Sequence, residues 1–266
     1  MHQEQSGLGL LMAQLDKWRH FAAYKLEQRV DILFGMFLPD ILEARFGTPM
    51  SATVVPEFPF PQEVLLGVQN PTLRSDRIDF AAINRNRDKF FLVELKTDTA
   101  SISDTQLSKL LQVCAPGRDG VMLHWLSAVL DLAKPAATNH TRKYLHLLSE
   151  LESWGLVGSL DEAREAAWSL NRRGLTSAIE QAKPIHNPAC RARLKKMQLI
   201  PVMICPKAEE SRTRMKDAAD REDLHILYFS DVAAGLEQLG DPNAALFAGF
   251  LKKWEEMPAA RKPGHP

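Results

Sequence analysis

The spacing of apolar side chains predicts a long helix near the start of the chain. Apolar residues recur at three- and four-residue intervals over residues 26–42, which is the period of a helix with one buried face. We expect the helix over about residues 10–46, with a break near Gly35 or Pro39. Gly47 suits its end, because glycine readily adopts the left-handed conformation that ends many helices.

Three strands are expected next. Residues 53–60 favour extended backbone, and their prolines confine that strand to a sheet edge or a strand end. Residues 75–97 consist of two apolar, β-favouring runs around the polar tip Arg85–Asp88, which predicts a β-hairpin. Because side chains alternate between faces along a strand, Glu94 and Lys96 should project on the same side of the second hairpin strand.

Counting along both hairpin strands from the turn puts two carboxylates opposite each other. In this register Asn84 faces Lys89, and Asp79 therefore faces Glu94. Like charges at facing positions repel, whereas a divalent cation would hold them together. The alternative is an exposed hairpin face on which Lys96 forms a cross-strand ion pair with a carboxylate.

Helices dominate most of the remaining sequence. Residues 103–113 return to helical spacing, and residues 120–183 are expected to be almost wholly helical. Two strand-like runs follow at residues 199–205 and 224–229, and a last helix is expected over about residues 231–254. Strands mixed with helices in this order predict an α/β fold.

Composition and charge change this picture only slightly. The 266 residues carry 33 basic and 33 acidic side chains, which argues against a protein whose main role is to coat nucleic acid. A local basic groove is still allowed, because the field near a site depends on how charges are distributed. No apolar run suits a membrane span and no secretory signal is visible. The three cysteines are far apart in sequence, which argues against a disulfide framework and favours a reducing cytoplasm. Because no membrane span is visible, we expect no membrane partner.

The element order and the hairpin charges together resemble the PD-(D/E)xK nuclease superfamily. Asp79 matches the aspartate of that motif, and Glu94-Leu95-Lys96 matches Glu-x-Lys, although the proline of the motif is absent before Asp79. The resemblance implies a restriction-endonuclease-like αβββαβ core with a mixed central sheet flanked by helices. It covers about residues 20–115 directly, and the helical stretch after them would be an insertion.

The expected organisation is therefore one α/β domain interrupted by helices. Residues 10–118 would form the first part of the nuclease-like core, and residues 119–197 the helical insertion. Residues 198–254 would complete the core with a C-terminal helix, and residues 255–266 would form a mobile tail. The insertion is a candidate for setting substrate choice or for mediating a homodimer.

The resemblance also implies a reaction and a metal ion. Asp79 and Glu94 would hold Mg²⁺ through their carboxylates, and the Leu95 carbonyl would supply a third oxygen. Mn²⁺ is expected to substitute for Mg²⁺. Lys96 would hold or deprotonate the attacking water, or stabilise developing charge, and the product would be a cleaved phosphodiester. DNA is favoured over RNA by analogy with the superfamily. The alternative is a non-catalytic protein of the same fold that binds nucleic acid or a protein partner through the insertion.

Other candidate residues have competing interpretations. In the superfamily a glutamate of the first helix often joins the metal site, and Glu27 is the best match, with Asp31 one turn later as its competitor. Gln106 matches a glutamine of the crossing helix that contacts the substrate or the lysine. A capping-box role with Ser103 explains Gln106 equally well.

Two further carboxylates near the hairpin are weaker candidates. Asp76 is an alternative to Asp79, but it lies three residues away and would face the other side of the strand unless the strand is bulged. Glu57 could supply an extra carboxylate, although an exposed strand position is favoured for it.

Basic side chains near the hairpin are candidates for holding a phosphate backbone. Arg74, Arg77, Arg85 and Arg87 are the closest to the predicted site. The densest basic run, Lys183–Lys196, is expected to be a solvated helix face rather than a phosphate contact.

Overall fold

The computed structural model describes residues 7–19, 26–61, 75–98, 104–114, 121–135, 141–207 and 224–256. The first elements are α1 (Gly7–Trp18), α2 (Glu27–Phe46), β1 (Met50–Pro61), β2 (Ser75–Asn84) and β3 (Lys89–Leu95). The helices that follow are α3 (Asp104–Cys114), α4 (Val121–Leu132), α5 (Thr141–Ser153), α6 (Asp161–Trp168), α7 (Arg172–Gln181) and α8 (Pro188–Leu194). The last elements are β4 (Gln198–Cys205), β5 (His225–Tyr228), α9 (Phe229–Glu237) and α10 (Pro242–Glu256).

The five strands form one open sheet in the order β1-β2-β3-β4-β5. A short turn joins the neighbouring strands β2 and β3, which makes them antiparallel, whereas β4 and β5 are parallel with Val202 opposite His225. The predicted α/β class with a mixed sheet flanked by helices is therefore confirmed. β1 lies at an edge of the sheet, as its prolines require. Among the residues described, no helix is long and apolar enough to cross a membrane.

Helix α2 carries the buried face that the apolar spacing predicts. Its inward side chains are Val30, Leu33, Phe34, Phe37, Leu38, Ile41 and Leu42. Gly47 ends the helix with a φ of 60°, and its N–H donates to the Glu43 carbonyl. The expected break is wrong, because α2 continues through Gly35 and Pro39, and the helix expected over residues 10–46 is instead two helices, α1 and α2. The carbonyl that the Pro39 ring approaches belongs to Gly35, whose backbone is the most adaptable of any residue.

The chain divides into two compact units. Within the described ranges, the first comprises Met1–Val54, Val93–Leu110 and Pro201–Pro266, and the second comprises Val55–Leu92 and Leu111–Ile200. Aromatic packing centres the first unit on Phe34, whose ring lies 5.1 Å from that of Phe247 and 5.8 Å from that of Phe229. These contacts fasten α2 against α9 and α10.

A separate aromatic cluster forms the core of the second unit. Trp125 of α4 is fully buried, and its ring lies 5.2 Å from that of Phe58 and 6.2 Å from that of Phe90. The Trp125 indole N–H donates to the Pro59 carbonyl at 2.9 Å, so its polar atom is satisfied inside an apolar core. The Trp154 ring also packs against Phe90, with the two ring centroids 5.8 Å apart.

An ion-pair cluster joins α4 to α7 within the second unit. Lys183 lies 2.9 Å from Asp131 and 3.0 Å from Glu180, and Lys134 contacts both carboxylates. His186 lies 3.7 Å from the other oxygen of Glu180. Hydrogen bonding from Lys134 is the largest of the effects that lower the pKa of Glu180 to about 2.

This cluster makes stability depend on pH in a defined window. Because the pKa of Glu180 is lower in the folded chain than its ordinary value of 4.5, its pairs stabilise the fold above about pH 4.5. That contribution should disappear as the pH falls from 4.5 toward 2. Glu180→Gln should therefore cost about 1 kcal/mol at neutral pH, a modest value because solvent screens a half-exposed pair. Thermal unfolding of both proteins across this range tests it, and a gap in Tm that stays constant down to the lowest pH would contradict it.

The C-terminal region differs from the single helix expected over residues 231–254. Two helices, α9 and α10, occupy it, and Gly240 between them has a φ of 70°. The Asp241 side chain accepts from the backbone N–H groups of Asn243 and Ala244, which caps the start of α10. The predicted mobile tail starts inside α10, and residues 257–266 lie outside the described residues.

Candidate active site

The end of β3 carries the charged pair at the centre of the candidate site. The Lys96 ammonium lies 2.8 Å from Oε1 of Glu94, so the two side chains project on the same side as predicted. The Lys96 N–H donates to the Ile204 carbonyl at 2.8 Å, which continues the hydrogen bonding beyond the end of the strand. Glu94 is 7% exposed and Lys96 is 4% exposed, so both charges are largely removed from water.

Glu27 brings a second carboxylate to the same lysine. It begins α2, and its Oε1 lies 3.7 Å from the Lys96 ammonium, with about a third of its side chain exposed. Glu27, Glu94 and Lys96 all belong to the first compact unit. The competing residue Asp31 accepts a hydrogen bond from the Ile32 N–H and forms no ion pair within the described part of the chain. Of these two helix carboxylates, it is therefore Glu27 that the fold brings to Lys96.

Two carboxylates and one ammonium meet in this cluster. The Glu94 and Lys96 side chains are buried, and about two thirds of the Glu27 side chain is covered. Carboxylates with little access to water are costly unless cations or hydrogen-bond donors accompany them. Carboxylate oxygens are the ligands that Mg²⁺ prefers, and one or two of them with waters and substrate phosphates suffice. The residues present therefore fit a hard divalent cation.

The fold distributes the other predicted site residues as follows. Asp79 lies in β2, in the second unit, and is half-buried. The Leu95 side chain is fully buried, and its carbonyl stays a predicted ligand. Gln106 lies in α3, and its side chain is outside the described residues, as is that of Asp76. No group of three or more His, Cys, Asp or Glu residues suited to a metal ion occurs among the side chains described.

The arginines predicted to hold phosphate have different surroundings. Arg77 is exposed and pairs at 2.9 Å with Glu57, which has a φ of 50°. Glu57 is thus an exposed strand residue, the interpretation that the sequence favours. Arg85 and Arg87 lie exposed in the turn between β2 and β3. Arg74 falls outside the described residues.

One residue that shapes the hairpin is missing from the predicted set. Asn84 is almost fully buried, and its side-chain oxygen accepts from the N–H groups of Asp88 and Lys89 at 3.1 and 3.0 Å. Its side-chain nitrogen donates to the Asp88 carboxylate at 2.6 Å. These bonds fix the turn between residues 85 and 88 and thereby the start of β3. An asparagine directly before a polar tip is the available sequence signal, because its side chain readily bonds the backbone a few residues on.

Comparison with known proteins identifies no relative. No protein family, no curated protein and no solved structure matches the chain. The chemistry of the site must therefore be inferred from the residues themselves.

Proposed function

We propose that the chain is a metal-dependent nuclease of the PD-(D/E)xK type that hydrolyses phosphodiester bonds, with DNA favoured over RNA. The single observation that carries the proposal is the buried Glu94–Lys96 pair, joined by Glu27, at the end of a central strand. Two carboxylates beside one lysine at a largely buried position offer oxygen ligands for a cation and a positive group for a phosphate. The restriction-endonuclease-like arrangement of the sheet is part of the same proposal.

The roles of the residues follow from their chemistry. Glu94 would supply one metal ligand, and Asp79 would supply a second in the strand register expected from the sequence. The Leu95 carbonyl would add a neutral oxygen. When bound, Mg²⁺ or Mn²⁺ would lower the pKa of water and offset charge on the reacting phosphate.

Lys96 would act on the water and on the phosphate rather than on the metal. Its ammonium has three donors, and Glu94 Oε1 at 2.8 Å accepts one of them. The ammonium would orient an attacking water, and its positive charge would stabilise an oxygen of the phosphate. Glu27, at 3.7 Å, would hold the ammonium in place between the carboxylates. Gln106 would contact the substrate or the lysine.

Cleavage assays test the proposal directly. Purified protein is incubated with single-stranded, double-stranded and branched DNA and with RNA, in Mg²⁺ and in Mn²⁺. Glu94→Gln should reduce cleavage about 100-fold, because an amide is a weaker metal ligand and leaves Lys96 without its charged partner. Glu57→Gln is the matched control, since it removes a carboxylate from an exposed ion pair of the edge strand β1 and should leave the rate unchanged. Equal rates for the wild type and Glu94→Gln on every substrate would exclude the proposed site.

A second candidate is a non-catalytic protein of the same fold that binds a nucleic acid or a protein partner. The observation in its favour is the contact between Glu94 and Lys96 itself, since a buried ion pair is also a structural feature. Metal titration separates the two candidates. A catalytic site should bind Mn²⁺ or Mg²⁺ and lose that binding in Asp79→Asn and Glu94→Gln, whereas a structural pair should bind neither ion.

A further inference from the structure

Two basic segments that are more than a hundred residues apart in sequence meet on the second unit. The first is the turn that carries Arg85 and Arg87, and the second runs from the end of α8 to the start of β4. They are joined by a backbone hydrogen bond of 2.8 Å from the Gln198 N–H to the Asp88 carbonyl. The second segment contributes Arg191, Arg193, Lys195 and Lys196. We call the side chains of Arg87, Arg191, Arg193, Lys195 and Lys196 the basic surface.

Two arginines of this surface converge at the C-terminal end of α5. Arg87 donates to the Ser153 carbonyl at 3.0 Å, and Arg193 donates to the Gly155 carbonyl. A Cβ atom built on Gly155 would lie 2.0 Å from Nη1 of Arg193 and 3.1 Å from Nη1 of Arg87. The two Nη1 atoms are therefore no more than about 5 Å apart. The carbonyls at a helix end attract both guanidinium groups, but each guanidinium retains donors for an anion.

Among the residues described, the five side chains of the basic surface lack acidic partners, as do Lys89, Arg172 and Arg173, whereas four other described cations of the second unit are paired. Arg77, Lys134, Arg164 and Lys183 each pair with a carboxylate. In the described part of the chain, none of the five side chains of the basic surface forms an ion pair. Four of them are exposed, and Arg193 is half-buried. The exposure fits the solvated face expected from the sequence, and no described carboxylate lies within ion-pair distance of these five side chains.

Two acidic side chains on the adjoining elements have partners outside the basic surface. Asp88 accepts a hydrogen bond from the Asn84 side chain at 2.6 Å. Glu152 of α5 pairs with Arg164 and accepts from the Leu160 N–H at 2.8 Å. Neither of these two carboxylates forms an ion pair with the basic surface.

We infer that the basic surface binds the phosphate backbone of a nucleic acid, an inference that rests on the proposed nuclease function and extends it to a second contact region. Exposed arginine and lysine side chains without acidic partners are groups that contact phosphates and release counterions. An anionic membrane is less suitable, because it also requires apolar side chains to insert. None of the exposed large apolar side chains in the described residues lies in either basic segment.

The conformation of Arg87 supports a role for its side chain. Its φ is 58°, in the left-handed region where glycine or asparagine is favoured over a long side chain. Arginine at this position costs the turn some stability that Asn would not cost. Arg87→Asn should therefore leave the turn intact while it removes one guanidinium from the basic surface.

Binding measured without cleavage tests the inference. Fluorescence anisotropy with labelled duplex DNA, in EDTA and over a series of salt concentrations, gives the slope of log K against log salt. Lys195→Gln/Lys196→Gln should lower the magnitude of that slope by roughly 1.8, because each phosphate contact contributes roughly 0.9, and should weaken binding about tenfold. Arg87→Asn should lower it by roughly 0.9. Arg172→Gln/Arg173→Gln is the matched control, since it removes two adjacent exposed charges elsewhere on the same unit and should leave the slope unchanged.

The outcomes distinguish this inference from the nuclease proposal. If Glu94→Gln loses cleavage but binds duplex with the wild-type slope, both proposals are supported. If the wild type binds with a steep salt dependence that Lys195→Gln/Lys196→Gln reduces, yet cleaves nothing, the nuclease proposal fails and the basic surface stands. Unchanged binding in Lys195→Gln/Lys196→Gln overturns the inference, and so does a wild type that binds phosphatidylserine vesicles but no duplex.

Discussion

Lys96→Met is expected to lower the free energy of unfolding by about 3–5 kcal/mol and to reduce phosphodiester cleavage by about 10²–10⁴-fold. The substitution leaves Glu94, which is 7% exposed, without the ammonium that lies 2.8 Å from it. Glu27, whose Oε1 lies 3.7 Å from the same ammonium, loses that contact as well. An uncompensated buried charge is among the few single changes that cost this much. The loss of cleavage has a separate cause, the absence of a donor for the attacking water.

Urea unfolding of a double-mutant cycle separates these causes. Glu94→Gln/Lys96→Met removes both buried charges. Its free energy of unfolding should lie closer to that of the wild type than to that of Lys96→Met, because a neutral pair is often as stable as a buried ion pair. Its activity should stay lost. Mg²⁺ should stabilise Lys96→Met more than it stabilises the wild type, since the ion replaces the missing positive charge. A Lys96→Met protein of wild-type stability in the absence of Mg²⁺ would contradict the geometry described for the site.

Trp125→Ala is expected to lower the free energy of unfolding by about 3–5 kcal/mol. Trp125 is fully buried, packs against the rings of Phe58 and Phe90, and donates its indole N–H to the Pro59 carbonyl. Alanine leaves a cavity at the centre of the second unit and removes the donor from a buried carbonyl. Both effects add to the free energy that is lost because the indole is no longer transferred from water into the core.

A second tryptophan of the same unit provides the control for this measurement. Trp168 at the end of α6 is 88% exposed, so Trp168→Ala should change stability by no more than about 0.5 kcal/mol. Chemical unfolding followed by circular dichroism compares the two variants without depending on the tryptophan fluorescence that each removes. Similar losses from both substitutions would show that Trp125 does not centre the core.

Local patterns predicted the elements whose signals lie within a few residues of one another. The buried face of α2, the cap at Gly47 and the hairpin around residues 85–88 each depend on spacing or backbone preference over one or two turns of chain. The break expected near Gly35 or Pro39 and the single C-terminal helix were both wrong. Helix α2 continues through both residues, whereas Gly240, with a positive φ, lies between α9 and α10.

The candidate site could be predicted in part. Strand alternation alone brings Glu94 and Lys96 to one side, and the structure adds a contact of 2.8 Å between them. Which carboxylate of α2 joins them depends on how the helix is rotated and docked, and the sequence left Glu27 and Asp31 open. In the structure Glu27 Oε1 lies 3.7 Å from the Lys96 ammonium, so Glu27 is the carboxylate that joins the pair.

The sequence by itself determined the α/β class, the hairpin and the shared side of Glu94 and Lys96, because alternation and helical period act between close neighbours in the chain. Only the tertiary structure decided that Glu27 reaches Lys96, that both charges are buried, and that Arg87 meets Arg193 at the end of α5. These contacts join residues far apart in sequence, and their existence depends on how whole elements pack rather than on any local preference.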